Sequence, residues 1–196
     1  MTDAPAVTAA TPRALLQHPD YLRFQASRFV ATLGMQSTSV AVGWQVYELT
    51  HRKIDLGYVG LSQFVPGLCL ALVTGAVADR FDRRAIITTC HVVIAACYAA
   101  LWALARARVP TPVPIYAVLV AFGTARAFLG PASQALLPTT VPTALFPTAM
   151  ALSSTVWQAG TVVGPALGGV LYAAFGARVY LVSAAFALVA GVLARA

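Results

Sequence analysis

Long apolar runs, each close to the length of a bilayer crossing, follow one another along this chain with only short polar connectors between them. In hydrocarbon every backbone N–H and C=O must be satisfied inside its own helix or within a closed barrel. A barrel would alternate apolar and polar residues over segments of about 10 residues, whereas these runs are rich in Ala and Leu and barely interrupted. Helices of about 20 residues are therefore expected. Of the 196 residues 59% are hydrophobic and 10% charged, against roughly 25% charge in a soluble domain, so a water-soluble globule is excluded. Six crossings would use about 120 residues and leave enough for a tail and connectors.

The approximate helices are expected at 29–47, 57–78, 85–105, 114–136, 147–174 and 179–194, forming a six-helix transmembrane bundle over 28–196 behind a cytoplasmic tail over 1–27. The tail contains Pro5, Pro12 and Pro19 and has no apolar core of signal-peptide type, so targeting falls to the first membrane helix. An offset of 94 residues carries Gly75, Phe81 and Arg84 onto Gly169, Phe175 and Arg178. It lays the connector after the second helix on the connector after the fifth, as a three-plus-three repeat would. The fold class expected is all-α integral membrane.

The net charge of +7 does not point to nucleic acid, because the 13 basic residues are scattered and form no stripe beside aromatics. Lys and Arg instead bear on orientation. With the N-terminus inside, seven (Arg13, Arg23, Arg28, Arg80, Arg83, Arg84 and Arg195) face the cytoplasm and five (Arg52, Lys53, Arg106, Arg108 and Arg178) face out, a small margin for a cytoplasmic N-terminus. Cys69, Cys90 and Cys97 lie in apolar runs and are odd in number, which argues against a disulfide framework.

Polar side chains inside the membrane need a protein partner or a wet cavity. Thr32, Gln36 and Ser39 recur at i, i+4 and i+7, as do Ser154, Gln158 and Thr161, so each trio shares one helical face. Arg126 and Ser133 repeat that spacing with Gly130 between them. Turned toward a common interior, these faces would line a solute path; the alternative is that they join helices by hydrogen bonds. Arg126 stands out, since an Arg near a helix centre costs about 2.5–3.5 kcal/mol to insert; substrate binding or coupling is one role, a structural tether the other. His91 is a proton relay or a hydrogen-bonded structural residue. The sixth segment, with Ser183 as its polar residue, reads as peripheral. Gly160, Gly164, Gly168 and Gly169, with Pro165 among them, let a second backbone approach closely and favour a kink.

The run Gly75-Ala-Val-Ala-Asp79-Arg80-Phe81-Asp82-Arg83-Arg84 resembles the signature loop of the major facilitator superfamily of secondary transporters. Arg126-Ala-Phe-Leu-Gly130 resembles its fourth-helix motif, and the Gly160 to Gly169 run the fifth-helix motif of proton-driven exporters. The wording of Gly60-Leu-Ser-Gln-Phe-Val-Pro66 and of 126–138 is similar to the branch that includes the enterobactin exporter. The resemblance covers about Tyr21 to the end. It implies a bacterial inner-membrane protein, with Gly75, Asp79, Arg80, Arg83 and Arg84 as a cytoplasmic gate. On a transport reading, Arg126 and the polar faces with Gln36 and Gln158 would meet substrate or coupling ions, and Gly160, Gly164, Pro165, Gly168 and Gly169 would allow one helix to rock. Superfamily members have two six-helix halves, and this chain matches the first.

The expectation is secondary active export of a siderophore- or drug-like small molecule, coupled to protons, with a C-terminal half or a second copy as partner. The alternative is a non-transporting membrane protein acting only as a subunit of another half. An enzyme has little support: there is no H-E-x-x-H zinc pair and no P-loop, and Ser62 has no evident base. No cofactor or metal is expected.

Overall fold

The structure is a computed structural model that describes residues 12–195. Among these residues there is no strand. A single turn, α1 (Pro12–Leu15), precedes six long helices: α2 (Pro19–Thr50), α3 (Lys53–Arg80), α4 (Arg83–Arg106), α5 (Val113–Leu136), α6 (Phe146–Phe175) and α7 (Val179–Arg195). Short 3-10 turns link α5 to α6 and α6 to α7.

Four stretches are long and apolar enough to cross a bilayer: Lys53–Arg80, Arg83–Arg106, Val113–Thr139 and Thr143–Arg195, the last holding both α6 and α7. Helix α2 is not among them, because Arg23, Gln25, Arg28 and Gln36 dilute its apolar character. The apolar run expected at 29–47 is the middle of this longer helix. Of the expected tail, 1–11 lies outside the described residues, and Pro19 already opens α2. Proline suits a first helical position, where its missing N–H would have had no helical partner. The extension is held by burial: Tyr21 donates to the Ala149 carbonyl at 3.0 Å, and Gln25 donates to the Tyr21 hydroxyl at 2.7 Å and to Ser153.

Helix ends follow local chemistry. Asp82 caps α4, its carboxylate accepting from the N–H groups of Arg84 and Ala85, each at 3.2 Å. Helix α6 ends at Gly176, with φ +56° and ψ −136°, a backbone that a side chain would strain.

Helix α2 packs on α6 and α7, α3 on α5, and α4 on α5 and α7. Exchanging the triplet α2–α4 with the triplet α5–α7 maps this set of pairs onto itself, and the 94-residue offset carries Pro19, the first residue of α2, onto Val113, the first residue of α5. The tightest seams lack side chains. A Cβ at Gly160 would lie 2.8 Å from Thr32 Cγ2, one at Gly168 would lie 2.5 Å from Ser37 Cα, and one at Gly164 would collide with Gln36 Cβ. On the other side, a Cβ at Gly123 of α5 would lie 2.5 Å from the Gln63 carbonyl oxygen of α3. Hydrogen bonds fix the same seams: Ser37 donates to the Gly164 carbonyl at 3.2 Å, and Ser27 to the Ala190 carbonyl of α7 at 2.7 Å. Helix α7 buries Tyr180, Ser183, Ala187 and Gly191 while Leu188 and Val192 stay exposed.

Adjacent glycines of α6 give a test. Replacing Gly for Ala gains up to about 1 kcal/mol of helix propensity at either site, but overpacking a tight contact costs about 1–3 kcal/mol. Gly168→Ala is expected to lower the thermal midpoint of the purified protein in detergent by several degrees. Gly169→Ala, where a Cβ meets nothing within 4 Å, should hold or raise it; equal midpoints would remove the seam from the stability of the bundle.

Candidate functional site

Helices α2, α4, α5 and α6 enclose an open cavity of about 720 Å³. Each lends one face at helical spacing: Phe24, Arg28, Thr32 and Met35 from α2, Ile87 and His91 from α4, Arg126, Gly130 and Ser133 from α5, and Met150, Ser154 and Trp157 from α6. The walls are largely apolar and aromatic, with a few polar groups converging, as solute sites generally are. Two guanidinium groups are the charges. Among the lining residues there is no Asp or Glu.

Arg126 makes no hydrogen bond or ion pair with any described residue, and the position one turn on is Gly130, where a Cβ would meet nothing within 4 Å. Arg28 is half-buried and sits over the Phe24 ring, 5.7 Å from the centroid, a cation–π geometry. His91 is 3% exposed, and its Nδ1 lies 2.7 Å from the Ile87 carbonyl oxygen. That bond assigns a proton to Nδ1. Nε2 has no partner among the described residues. Thr32 and Ser154 donate their hydroxyl protons to carbonyls one turn back, Arg28 at 2.8 Å and Met150 at 3.0 Å, so the arginines, with Ser133 and Gln134, are the uncommitted donors of the lining.

The structure divides the sequence-predicted set. Arg126, Thr32, Ser133, Ser154 and His91 line the cavity; Gln36 and Gln158 do not. Gln36 is half-buried with its Cβ against Gly164, Gln158 is exposed, and Thr161 donates to the Gln158 carbonyl at 2.8 Å. Ser39 borders a separate crevice of about 10 Å³. The cavity spans residues 24–35 of α2 and ends there, so the C-terminal members of each trio lie beyond it. Helix α7, read as peripheral, contributes nothing to the lining. Sequence reasoning missed Arg28, assigning it to the cytoplasmic surface; its spacing of four from Thr32 was the available signal. Of the glycine run, Gly160, Gly164 and Gly168 face α2, while Gly169 faces open space and the helix continues through Pro165.

The α3–α4 connector lies at the same end of the bundle as the cavity, beside the N-terminus of α2 and the C-terminus of α7. Arg84 joins these elements: its Nη2 is 3.6 Å from Asp20 Oδ2, and Nη1 donates to the Arg195 carbonyl at 3.5 Å. With 33% and 54% of the two side chains exposed, the ion pair contributes about 0–1 kcal/mol, weak enough to break during a conformational change. Asp79 and Arg80 are exposed and make no ion pair with described residues, Arg83 is half-buried, and a Cβ at Gly75 would meet nothing within 4 Å. Asp20 and Asp82, which sequence reasoning did not single out, hold the partner and cap roles. An Asp in a first helical turn and an Asp preceding an Arg-Arg-Ala helix start were the signals.

The profile of a family described as transmembrane secretion effector, a branch of the major facilitator superfamily, matches residues 10–195. The chain belongs to that superfamily. It is 28% identical over 160 residues to the staphyloferrin A transporter of Staphylococcus aureus, covering 78% of this chain and 38% of that protein. It is 29% identical over 177 residues to an uncharacterized major-facilitator-type transporter, YfiS, of Bacillus subtilis, covering 86% of this chain and 40% of that one. The chain thus spans about two fifths of the length of the curated relatives it matches. Family and relatives are named as transporters, not enzymes, and the apolar helices make this major facilitator chain a multi-pass membrane protein.

Accessibility of the cavity can be measured by thiol labelling after Cys69, which is exposed, is replaced by Ser. Ser133→Cys and Ser154→Cys are expected to react readily with a water-soluble maleimide. Ser153→Cys, at a site 4% exposed, should react far more slowly; the reverse order would mean that water does not enter between α5 and α6.

Proposed function

We propose that this chain is the N-terminal six-helix half of a proton-coupled exporter of small siderophore- or drug-like molecules, lying in the bacterial inner membrane with its N-terminus in the cytoplasm. The cavity supports this reading above all: it is large enough for a small organic molecule and is built from facing helices, as transporter sites are. The exchange symmetry of the helix pairs supports six crossings in a three-plus-three repeat. A relative named for staphyloferrin A supports a siderophore-like cargo, and the excess of Arg on the α3–α4 side supports the orientation.

In this scheme Arg126 meets cargo or the coupling ion. Gln36 and Gln158 lie one residue past the cavity along α2 and α6, where a moving solute arrives next. Gly75, Asp79, Arg80, Arg83 and Arg84 act as a cytoplasmic latch, with the weak Arg84–Asp20 pair as a contact that is made in one state and released in another. Gly160, Gly164 and Gly168 hold α6 so closely on α2 that the two helices rock together, with Pro165 removing one helix hydrogen bond. A second half would cover apolar residues left exposed on α3 and α6, Phe64, Leu68, Leu72 and Val162 among them.

The span of two fifths of the relatives' length favours a second reading, a subunit inactive by itself. Accumulation of a fluorescent efflux substrate, in cells expressing this chain alone or with a C-terminal six-helix half from a relative, tests both. Efflux is expected with the half present and should stop with a protonophore. Asp79→Asn and Arg126→Gln should each cut efflux while leaving the protein level unchanged. Efflux that ignores the protonophore would overturn proton coupling, and no efflux in any combination would overturn transport.

A further inference from the structure

We infer that the cavity selects an organic anion, a carboxylate-bearing solute with an apolar body, held at its charged end by Arg28 and Arg126. This rests on reading the cavity as the solute site and names the class of solute it takes. Two arginines line one space, and no carboxylate among the lining residues neutralises them. The described carboxylates at this end of the bundle are engaged or outside the cavity: Asp20 pairs with Arg23 at 3.7 Å and with Arg84 at 3.6 Å, Asp82 caps α4, and Asp79 is exposed.

The chemistry of the wall narrows the choice. Arginine presents a planar fork of donors that matches a carboxylate with two parallel hydrogen bonds. The hydroxyls of Thr32 and Ser154 already donate to their own helices, and of the donors that remain, Ser133 and Gln134 are neutral, so the guanidinium groups are the charged ones that meet the solute. Gly130, on the same face of α5, adds no side chain to the cavity. Phe146, Met150 and Trp157 supply an apolar surface for the rest of the molecule. His91 adds no negative charge. A cationic solute would enter against two like charges that no lining carboxylate offsets.

Equilibrium dialysis of the 196-residue chain in phosphatidylcholine nanodiscs tests this, with empty nanodiscs as the blank. The probes are naphthalene-2-carboxylate, naphthalene-2-carboxamide and 2-naphthylmethylamine, one ring system with negative, neutral and positive ends. The carboxylate is expected to bind about tenfold or more tighter than the carboxamide, the difference a charge-assisted hydrogen bond makes, and the amine should stay at the blank level. Arg28→Gln and Arg126→Gln should each bring carboxylate affinity toward that of the carboxamide without moving the latter, and Arg126→Lys should keep more than Arg126→Gln. Because the three probes are compared on the unaltered chain, the result stands even if a variant fails to fold. Equal binding of carboxylate and carboxamide, preference for the amine, or no carboxylate binding overturns the inference. Displacement of the carboxylate by phosphatidylglycerol in the disc also overturns it, assigning the site to a lipid headgroup. Carboxylate selectivity without efflux in any combination overturns the transport reading alone, whereas efflux of a neutral or cationic probe in place of the carboxylate overturns this inference alone.

Discussion

The bundle closes on α2, and it does so because three glycines of α6 remove the side chains that would hold the two helices apart. At Gly160, Gly164 and Gly168 the α2 atoms stand where a Cβ would be. In a membrane there is little hydrophobic gain from burying one apolar helix against another, so close van der Waals packing and interhelical hydrogen bonds must hold them. Helix α2 uses both: Ser37 reaches the Gly164 carbonyl, Tyr21 the Ala149 carbonyl, Gln25 meets Ser153, and Ser27 bonds α7. The polar residues that keep α2 from reading as a simple apolar span are largely those that tie it into the bundle.

The same seam positions the cavity. Helix α2 stays on α6 from the Tyr21–Ala149 bond to the Ser37–Gly168 contact, and the open space lies beside this pair, where Arg28, Met150 and Trp157 line it together with residues of α4 and α5. Helix α5 is drawn to α3 by the matching contact of Gly123 with the Gln63 backbone, which leaves the Arg126 face free to look inward. An uncompensated arginine is costly in hydrocarbon, and the cavity gives it water or a solute as surroundings. The arrangement thus joins a stiff, glycine-lined region to a loosely filled region within the same four helices.

The connector beside the cavity has the opposite character. Its contacts are exposed ion pairs and a backbone carbonyl, each weak, in a chain whose core is otherwise fixed by buried aromatic and aliphatic side chains such as Tyr21, Tyr98, Ile94 and Leu101. Weak electrostatic ties across three helix ends can be exchanged without unfolding any helix. A rigid interior with changeable ties at one end is the physical requirement for two alternative arrangements of the same helices.

The lengths of the apolar runs, the Asp82 cap and the Gly176 break are local facts, and the sequence by itself determined them: helix formation in hydrocarbon is forced by backbone hydrogen bonding. The family, too, was legible in the 75–84, 126–130 and 160–169 motifs, and the profile match over 10–195 agrees. Helical periodicity places Thr32, Gln36 and Ser39 on one face, but it does not say how far along the helix a neighbour stays close. Only the tertiary structure decided that Thr32 faces the cavity, that Gln36 packs on Gly164, and that Gln158 is exposed. It also decided that Arg28 and Arg126 line one cavity, and that Arg84 finds Asp20. These outcomes depend on where two helices touch, and that contact is set by glycines on a different helix, far away in the chain.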